Sequence, residues 1–398
     1  MSTQRVSDVV KPALMRWARE TTGLTPERAA KKIGVKLARL AEWEEGSLRP
    51  TVAQLRKAAQ VYKRPLAVFF LPAPPAKPTP LHDFRRLPAG SPTALSFELL
   101  LEMRRARRRR AVALELLSEF DRPVPELPLR ATLDDDPEEI ATRARTWLAV
   151  SIDEQARWTG EYDPLNAWLT LFEARGILVF QTGEVPLEEM RGFSLNERRL
   201  PVIVLNAKDA PRGRVFTLMH EFTHLLLSQG GVCDPLRVRR HARTPDERVE
   251  IFCNRVAGAI LVPSDTLLGH PLVASVRGRR EWGDGTLQRL ADQFAVSREV
   301  ILRRLLILGR TTDDFYESKR EEYLAQYRAL AAQAREREGF PPLFRVVVRD
   351  NGREYTRLVL EAFDRERITP ADVSDYLGVR LKHLENIAGA VEHAGVRG

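Results

Sequence analysis

The sequence predicts a multidomain, mainly α-helical fold with one small β-sheet, and three observations support this fold class. The chain has 398 residues, which is enough for about two to four domains. Five prolines within residues 72–80 predict an extended spacer that ends an N-terminal domain. Helix start and stop signals recur along most of the chain, and about three short runs, within 176–181, 192–195 and 200–206, have the composition of strands.

The composition indicates a globular protein with a basic surface. Hydrophobic residues make up 43% of the chain, and the net charge of +9 favours an acidic partner, nucleic acid first. The two cysteines, Cys233 and Cys253, exclude a disulfide framework, and Cys253 is interpreted as a core residue. No apolar run approaches the ~18 residues of a membrane span, and the first residues lack a signal-peptide pattern. We therefore expect a cytoplasmic protein with no membrane partner.

Residues 1–72 are predicted to form a helix-turn-helix domain of five short helices. Ala30, Gly34 and Leu40 have the spacing that this motif requires: a small residue where two helices cross, a turn glycine and an apolar core residue. The segment that starts at Trp43 is similar to the one that follows the recognition helix in Xre/Cro-like repressors. The fold expected for this domain is therefore that of a DNA-binding module.

The recognition helix of this domain would present Lys36 and Arg39, which are candidate contacts to phosphate or base edges. Glu42, Glu44 and Glu45 oppose DNA binding, since they carry the same charge as phosphate. A helix-turn-helix that docks on protein or forms dimers is the alternative interpretation.

Two segments connect this domain to the rest of the chain. Residues 73–93 are predicted to be a proline-rich linker, and residues 94–149 an arginine-rich helical connector. Six arginines lie within residues 103–110. They predict either a contact with phosphate or acidic protein, or a solvated helix face.

The strongest chemical signal is the motif His220-Glu221-Phe222-Thr223-His224. Histidines four residues apart lie on one face of a helix and can bind one metal ion, and the glutamate beside the first can hold a water on that ion. The flanking residues are apolar on nearly every side, which predicts a buried helix. Buried histidines without a metal are the alternative, but that interpretation leaves Glu221 unexplained.

A catalytic zinc usually has three protein ligands, so a third ligand besides the two histidines is expected on a second helix. Thr244 begins a strong helix signal that must end near Pro263. Glu250 in this helix is the favoured third ligand, with Asn254 on the same face as a partner that orients a ligand. His241, in an arginine-rich stretch, is the competing ligand. Zn²⁺ is the expected cofactor, with Mn²⁺ as an alternative for the same ligand atoms.

Residues 214–227 and 249–263 resemble the ImmA/IrrE family of metallopeptidases, and the resemblance extends over about residues 150–310. In that family the glutamate four residues before the asparagine is the third zinc ligand, which corresponds to Glu250. Met219 departs from the family pattern, where a small residue is usual. The resemblance implies an α+β, zincin-like peptidase domain, and the N-terminal domain resembles the Xre-like domain of the longer members.

The resemblance implies a zinc metallo-endopeptidase fused to a DNA-binding-type domain. Such peptidases cleave a DNA-binding repressor and thereby regulate stress or mobile-element genes. The expected partners are a protein substrate, DNA and a second copy in a homodimer. A DNA-binding regulator or antitoxin-like partner, in which peptidase activity is minor or absent, is the alternative function.

Three further expectations concern the remaining segments. Val202 to Asn206 is the candidate edge strand for pairing with an extended substrate. Residues 311–398 are predicted to be a helical region with a second helix-turn-helix-like segment around Gly378. Within it, residues 344–348 and 354–355 are candidate strands of a small hairpin.

Overall fold

The computed structural model describes residues 10–75, 82–83, 95–228, 231–233, 244–337 and 341–393. The chain divides into two compact units, the first comprising Met1–Pro80 with Leu87–Arg105 and the second Leu81–Arg86 with Ala106–Gly398. Among the described residues, no helix is both long and apolar enough to cross a membrane.

The first unit contains the predicted helix-turn-helix domain. Its helices are α1 (Pro12–Glu20), α2 (Pro26–Ile33), α3 (Leu37–Glu45), α4 (Val52–Val61) and a 3₁₀ helix (Leu66–Phe70). Gly34 ends α2 in the left-handed region with φ of 79°, which an L side chain rarely adopts. Leu40 and Trp43 are each 1% exposed and lie in the core of this unit. The five-helix prediction is confirmed, although the fifth helix is of the tighter 3₁₀ type.

The second unit is largely helical. The division between the units falls within α5 (Phe97–Glu119). The helices that follow are α6 (Pro137–Leu148), α7 (Ile152–Gln155), α8 (Asp163–Ala174), α9 (Pro211–Leu226), α10 (Pro245–Leu261), α11 (Ser264–Gly269), α12 (Pro271–Ala274), α13 (Asp284–Gln293), α14 (Arg298–Ile307), α15 (Asp313–Arg337), α16 (Leu343–Asn351), α17 (Arg353–Asp364), α18 (Pro370–Leu377), a second 3₁₀ helix (Leu381–His383) and α19 (Leu384–His393). The mainly helical fold class with a small sheet is confirmed.

A small mixed sheet lies beside these helices. Its strands are β1 (His82–Asp83), β2 (Leu178–Thr182), β3 (Gly192–Leu195), β4 (Val202–Asn206) and β5 (Gly231–Cys233), in the order β1-β5-β3-β4-β2. The three predicted strands are present, and two very short strands extend the sheet.

The prediction that Val202 to Asn206 forms an edge strand is wrong. This strand, β4, pairs parallel with β2 on one side and antiparallel with β3 on the other. Its backbone hydrogen-bonding groups are therefore used within the sheet, and a substrate strand cannot be added to it.

Helix α9 forms the centre of the second unit. It packs against α8, α10, β3 and β4. Phe222 stacks on Trp147 with ring centroids 5.8 Å apart and meets Phe172 edge-on at 5.0 Å. Aromatic contacts of this kind fix the rotation of α9 about its axis, and this rotation decides which neighbours the motif histidines face.

Part of the arginine cluster in α5 is bound by the second unit itself. Arg108 forms an ion pair with Asp375. Arg110 donates to the carbonyl oxygens of Leu200 at 3.0 Å and Arg199 at 2.8 Å. These two arginines attach the second half of α5 to its neighbours, so they are not part of a purely solvated face.

The hairpin predicted for residues 344–355 is wrong, because both segments are helical. Asn351 ends α16 and donates to the carbonyl oxygen of Val347 at 3.0 Å, while Gly352, with φ of 73°, precedes α17. Helix α16 packs on the sheet-edge strand β2. Burial of one face of α16 therefore outweighs the strand preference of the valines at 346–348.

Candidate metal centre

Helix α9 brings the H-E-x-x-H motif into the interior. The helix begins at Pro211, which suits a first turn because proline has no N–H to leave unsatisfied. His220, Glu221 and His224 are each 0% exposed. This degree of burial is costly for ionisable side chains unless partners compensate for it.

Helix α10 brings the predicted third ligand to the same place. Thr244 caps α10 by accepting the N–H of Glu247 at 3.2 Å, as the capping signal predicts. Helix α10 packs on α9. Glu250, in the second turn of α10, thereby comes opposite both histidines, with a side chain that is 15% exposed.

The three candidate ligand atoms form a compact triangle. Glu250 Oε2 lies 3.5 Å from His220 Nε2, and Glu250 Oε1 lies 3.2 Å from His224 Nε2. The two histidine Nε2 atoms are 3.1 Å apart. Among the described residues, these three side chains form a group whose ligand atoms all lie within 4.8 Å of one another.

This spacing fits a metal ion. Ligand atoms at about 2.0–2.1 Å from a tetrahedral Zn²⁺ are separated from one another by about 3.3 Å. The observed separations of 3.1 to 3.5 Å bracket that value. Two imidazole nitrogens and one carboxylate also form a known ligand set of catalytic zinc sites.

The electrostatics of Glu250 favour its charged form. Burial alone would raise the pKa of this carboxyl, but the adjacent His220 and His224 outweigh burial and lower the pKa to about 2. The carboxylate is therefore available as an anionic ligand across the neutral pH range.

Asn254 orients the first histidine. Its Oδ1 lies 3.2 Å from His220 Nδ1 and accepts an N–H of Arg303 at 3.1 Å. Since arginine only donates, this contact identifies the Asn254 atom as an acceptor. His220 must then carry its proton on Nδ1, which leaves the Nε2 lone pair for a metal.

Arg303 is a neighbour of the candidate metal centre that the sequence did not indicate. It is 1% exposed and donates to Glu299 Oε1 at 2.8 and 3.0 Å, while Tyr316 donates to the same oxygen at 2.7 Å. The charge of Arg303 is compensated by Glu299, so the arginine is held against Asn254. No sequence signal links α14 to the motif, because the contact depends on tertiary packing alone.

Ser194 is a second residue that sequence reasoning missed. Its hydroxyl donates to Glu221 Oε2 at 3.0 Å, and Ser194 is 0% exposed. Gly192, two residues earlier on the same face of β3, lies so close to α9 that an added Cβ would come 2.6 Å from Thr217 Cγ2 and 3.2 Å from Glu221 Cγ. The alternation along the predicted strand could have indicated that positions 192 and 194 share a face.

The other predicted site residues have different surroundings. Cys253 is 0% exposed, and burial raises the pKa of its thiol well above the usual range, in keeping with a core role. His241, the competing ligand, lies outside the described residues. Lys36 and Arg39 are both exposed on the first unit, at the start of α3, and Arg39 forms an ion pair with Glu42 at 3.3 Å.

Comparison with known families agrees with this geometry. Residues 172–306 match a peptidase family described as the IrrE N-terminal-like domain. Residues 172–306 are therefore similar to an IrrE-like peptidase domain. Residues 15–69 match the helix-turn-helix family, so the fused architecture indicated by the sequence is confirmed. No curated protein matches the chain.

Proposed function

We propose that the chain is a zinc-dependent metallo-endopeptidase that regulates transcription by cleaving a repressor. The observation that carries this proposal is the triangle of ligand atoms from His220, His224 and Glu250, with Glu221 beside it. The IrrE-like peptidase domain supports the class of reaction, and the helix-turn-helix domain supports a role in transcription.

The ligand set favours Zn²⁺ over Mn²⁺. Zinc accepts two imidazoles and a carboxylate in a tetrahedral arrangement that leaves a fourth position for water. Manganese prefers more ligands and more oxygen among them. Two of the three candidate ligand atoms here are nitrogens, and they lie 3.1 Å apart.

The chain's own residues would divide the catalytic work. When bound, Zn²⁺ would supply the Lewis acidity that activates water and polarises the scissile carbonyl. Glu221 would take a proton from the attacking water on its carboxylate and pass it to the leaving amine. Such a general base typically contributes about 10²–10⁴-fold in rate.

Neighbouring side chains would hold these groups in place. Ser194 donates to Glu221 Oε2 at 3.0 Å and would thereby orient the carboxylate for proton transfer. Asn254 fixes the ring of His220 and its tautomer through the contact at 3.2 Å. Both arrangements reduce the reorganisation needed before reaction.

The first unit supplies a way to reach a repressor. Helix α3 exposes Lys36 and Arg39 at its N-terminal end, where recognition helices of this class contact DNA. A peptidase that binds DNA near a repressor, or that pairs with a related helix-turn-helix domain, would meet its substrate at a high local concentration.

Co-expression with tagged helix-turn-helix repressors from the same genome tests the proposal. We expect the wild type to shorten one of them, and Glu221→Gln to leave it intact while still binding zinc. Glu321→Gln, an exposed acid on α15, serves as the matched control and should cleave like the wild type. Cleavage by Glu221→Gln would contradict the role of the base.

The same two proteins, tested also for DNA binding, distinguish the peptidase function from the alternative of a DNA-binding regulator. If no repressor is shortened, while DNA binding in gel-shift assays is the same for wild type and Glu221→Gln, the chain acts as a DNA-binding regulator without peptidase activity.

A further inference from the structure

A cavity of about 210 Å³ lies between α9, α14 and α15 in the second unit. Its walls combine aromatic and aliphatic side chains with several arginines. The side chains that matter here are Phe216 on α9, Val300 and Arg303 on α14, and Arg320, Tyr323 and Leu324 on α15.

Two residues that line the cavity lie close to residues of the candidate metal centre. Thr217 lines the cavity, and the same glycine, Gly192, is packed against both Thr217 and Glu221. Arg303 also lines the cavity and donates to Asn254, the partner of His220. A group in this cavity would therefore lie about one helical turn from the motif on α9.

Helix α15 is the outer wall of the cavity and lies beyond the segment that matches the peptidase family, which ends at residue 306. Three tyrosine hydroxyls hold α15 in place. They donate to acids of neighbouring elements: Tyr316 to Glu299 at 2.7 Å, Tyr323 to Asp284 at 2.9 Å and Tyr327 to Asp209 at 3.3 Å. The shape of the cavity is therefore set by an element that the family match does not include.

The cavity lining combines apolar side chains with five arginines and two acids. Its two carboxylates are each paired with a lining arginine, Asp209 with Arg191 at 2.5 Å and Glu299 with Arg303 at 2.8 Å. The lining contains three further arginines, all half-buried: Arg212, Arg298 and Arg320. Arg212 pairs with Asp292 at 3.0 Å and Arg320 with Glu317 at 3.8 Å, and both of these acids are exposed and lie outside the lining. Such a cavity suits a bulky apolar group with negative charge close by.

We propose that this cavity is a substrate subsite that receives a bulky apolar side chain next to the scissile bond, from a segment with acidic neighbours. This assignment rests on the proposed peptidase function and names the class of sequence that it cleaves. Phe216, Val300 and Leu324 contact the apolar side chain. The acidic neighbours of the substrate take the place of the exposed acids that pair with Arg212 and Arg320.

Cleavage profiling tests the selection of the apolar side chain. The zinc-loaded full-length protein is incubated with a proteome-derived peptide library, and the new termini are sequenced by mass spectrometry. We expect Leu, Met, Phe or Tyr at one fixed position beside the cut, with Asp or Glu nearby. Leu324→Trp, which fills the cavity, should reduce cleavage at these sites at least ~10-fold. Glu321→Trp, which places the same ring on the exposed face of α15, should leave the profile unchanged.

A binding measurement decides the assignment independently of activity. N-acetyl-phenylalanine is titrated into Glu221→Gln protein, and heat of binding is recorded. We expect saturable binding of N-acetyl-phenylalanine, weaker binding of N-acetyl-phenylalanine amide and no detectable binding of N-acetylglycine. Binding of N-acetyl-phenylalanine should be lost in the double variant that also carries Leu324→Trp and retained in the one that also carries Glu321→Trp. Circular dichroism establishes whether each variant is folded. If Leu324→Trp is not folded, Arg320→Glu, a substitution at a half-buried position, tests the preference for negative charge instead.

The outcomes separate this inference from the proposed function. Cleavage without residue preference, together with no saturable binding of N-acetyl-phenylalanine, would overturn the subsite while the peptidase function stands. No cleavage of any peptide would count against the peptidase function, and the titration would still decide whether the cavity takes an apolar group. Equal binding in the Leu324→Trp variant would place the ligand elsewhere.

Discussion

The motif on α9 and the recognition helix α3 were both indicated by short sequence patterns, but the structure surrounds them very differently. His220, Glu221 and His224 are completely buried, and their polar atoms meet partners from β3 and α10. Lys36 and Arg39 are exposed to solvent. The motif residues are therefore surrounded by the protein interior, whereas Lys36 and Arg39 lie on the protein surface.

This difference shows how much weight each pattern carries. Buried ionisable groups cost free energy unless a metal or partner compensates for them, so their convergence is strong evidence for a site. Exposed cations cost almost nothing and occur on most protein surfaces. The structure therefore argues for metal binding directly, but for DNA binding only through the family of the domain.

The largest effect is expected from removing a buried ligand. His224→Ala should weaken zinc binding by more than about 100-fold, because even groups that only orient a ligand cost 10–100-fold. Zinc should then no longer raise the melting temperature of the protein, since stabilisation follows the affinity for the folded state. Competition with a chelator measures the affinity directly.

The control for this experiment is a histidine away from the centre. His383→Ala, in the second 3₁₀ helix, should bind zinc like the wild type. If His224→Ala bound zinc as tightly as the wild type, burial would have lost its value as evidence for a metal site.

The next largest effect is expected on the pH dependence of stability, and it comes from a buried carboxylate that has no histidine partners. Glu173 is 9% exposed and accepts the N–H of Arg353 at 3.0 Å, at the start of α17. Burial, followed by the charge of Glu354, raises the pKa of Glu173 to about 8. Unlike Glu250, this residue is therefore largely protonated at neutral pH.

The raised pKa of Glu173 has a definite consequence for stability. Between its ordinary pKa of 4.5 and the folded value of about 8, the folded state holds a proton that the unfolded state releases. The free energy of unfolding should therefore fall as pH rises through this window, by an amount on the order of a few kcal/mol.

Urea unfolding of the wild type and Glu173→Gln at pH 5, 7 and 9 measures this effect. The glutamine keeps the acceptor for Arg353 and removes the titration, so its advantage over the wild type should grow with pH. A difference that is the same at all three pH values would mean that Glu173 is not the group that titrates.

The sequence predicted the parts of the site that depend on local order. The i,i+4 spacing of His220 and His224 and the cap at Thr244 act within one helix each, so position in the chain is enough to place them. Helix boundaries and the three main strands follow for the same reason. Glu250 can be predicted as the third ligand from the sequence, because its helix can be identified and its burial inferred from the apolar residues around it.

The parts that the sequence did not reveal depend on packing between distant segments. Ser194 and Arg303 reach the motif from β3 and α14, and neither lies in a local pattern that indicates a partner on α9. The sequence does not show that strand β4 lies inside the sheet, because strand order is decided by pairing between strands, which residue composition does not encode.

The smallest effect is expected on the exposed side of the comparison. Lys36→Ala and Arg39→Ala should each change the free energy of unfolding by less than about 0.5 kcal/mol, because surface substitutions of this kind rarely do more. If α3 binds DNA, each should also weaken binding to a duplex a few-fold and reduce its salt dependence, since each lost phosphate contact lowers the slope by about 0.9. Fluorescence anisotropy at several salt concentrations measures both quantities.

The same pair of variants can reverse the interpretation of α3. Arg39 already forms an ion pair with Glu42, with side chains that are 52% and 46% exposed, so DNA must compete with that acid. If both variants bind the duplex like the wild type, or if the wild type does not bind, the helix serves contacts with protein. A dimer or a complex with a related helix-turn-helix repressor that is lost in Lys36→Ala would then identify the surface, because a protein-docking helix uses the same exposed positions for a different partner.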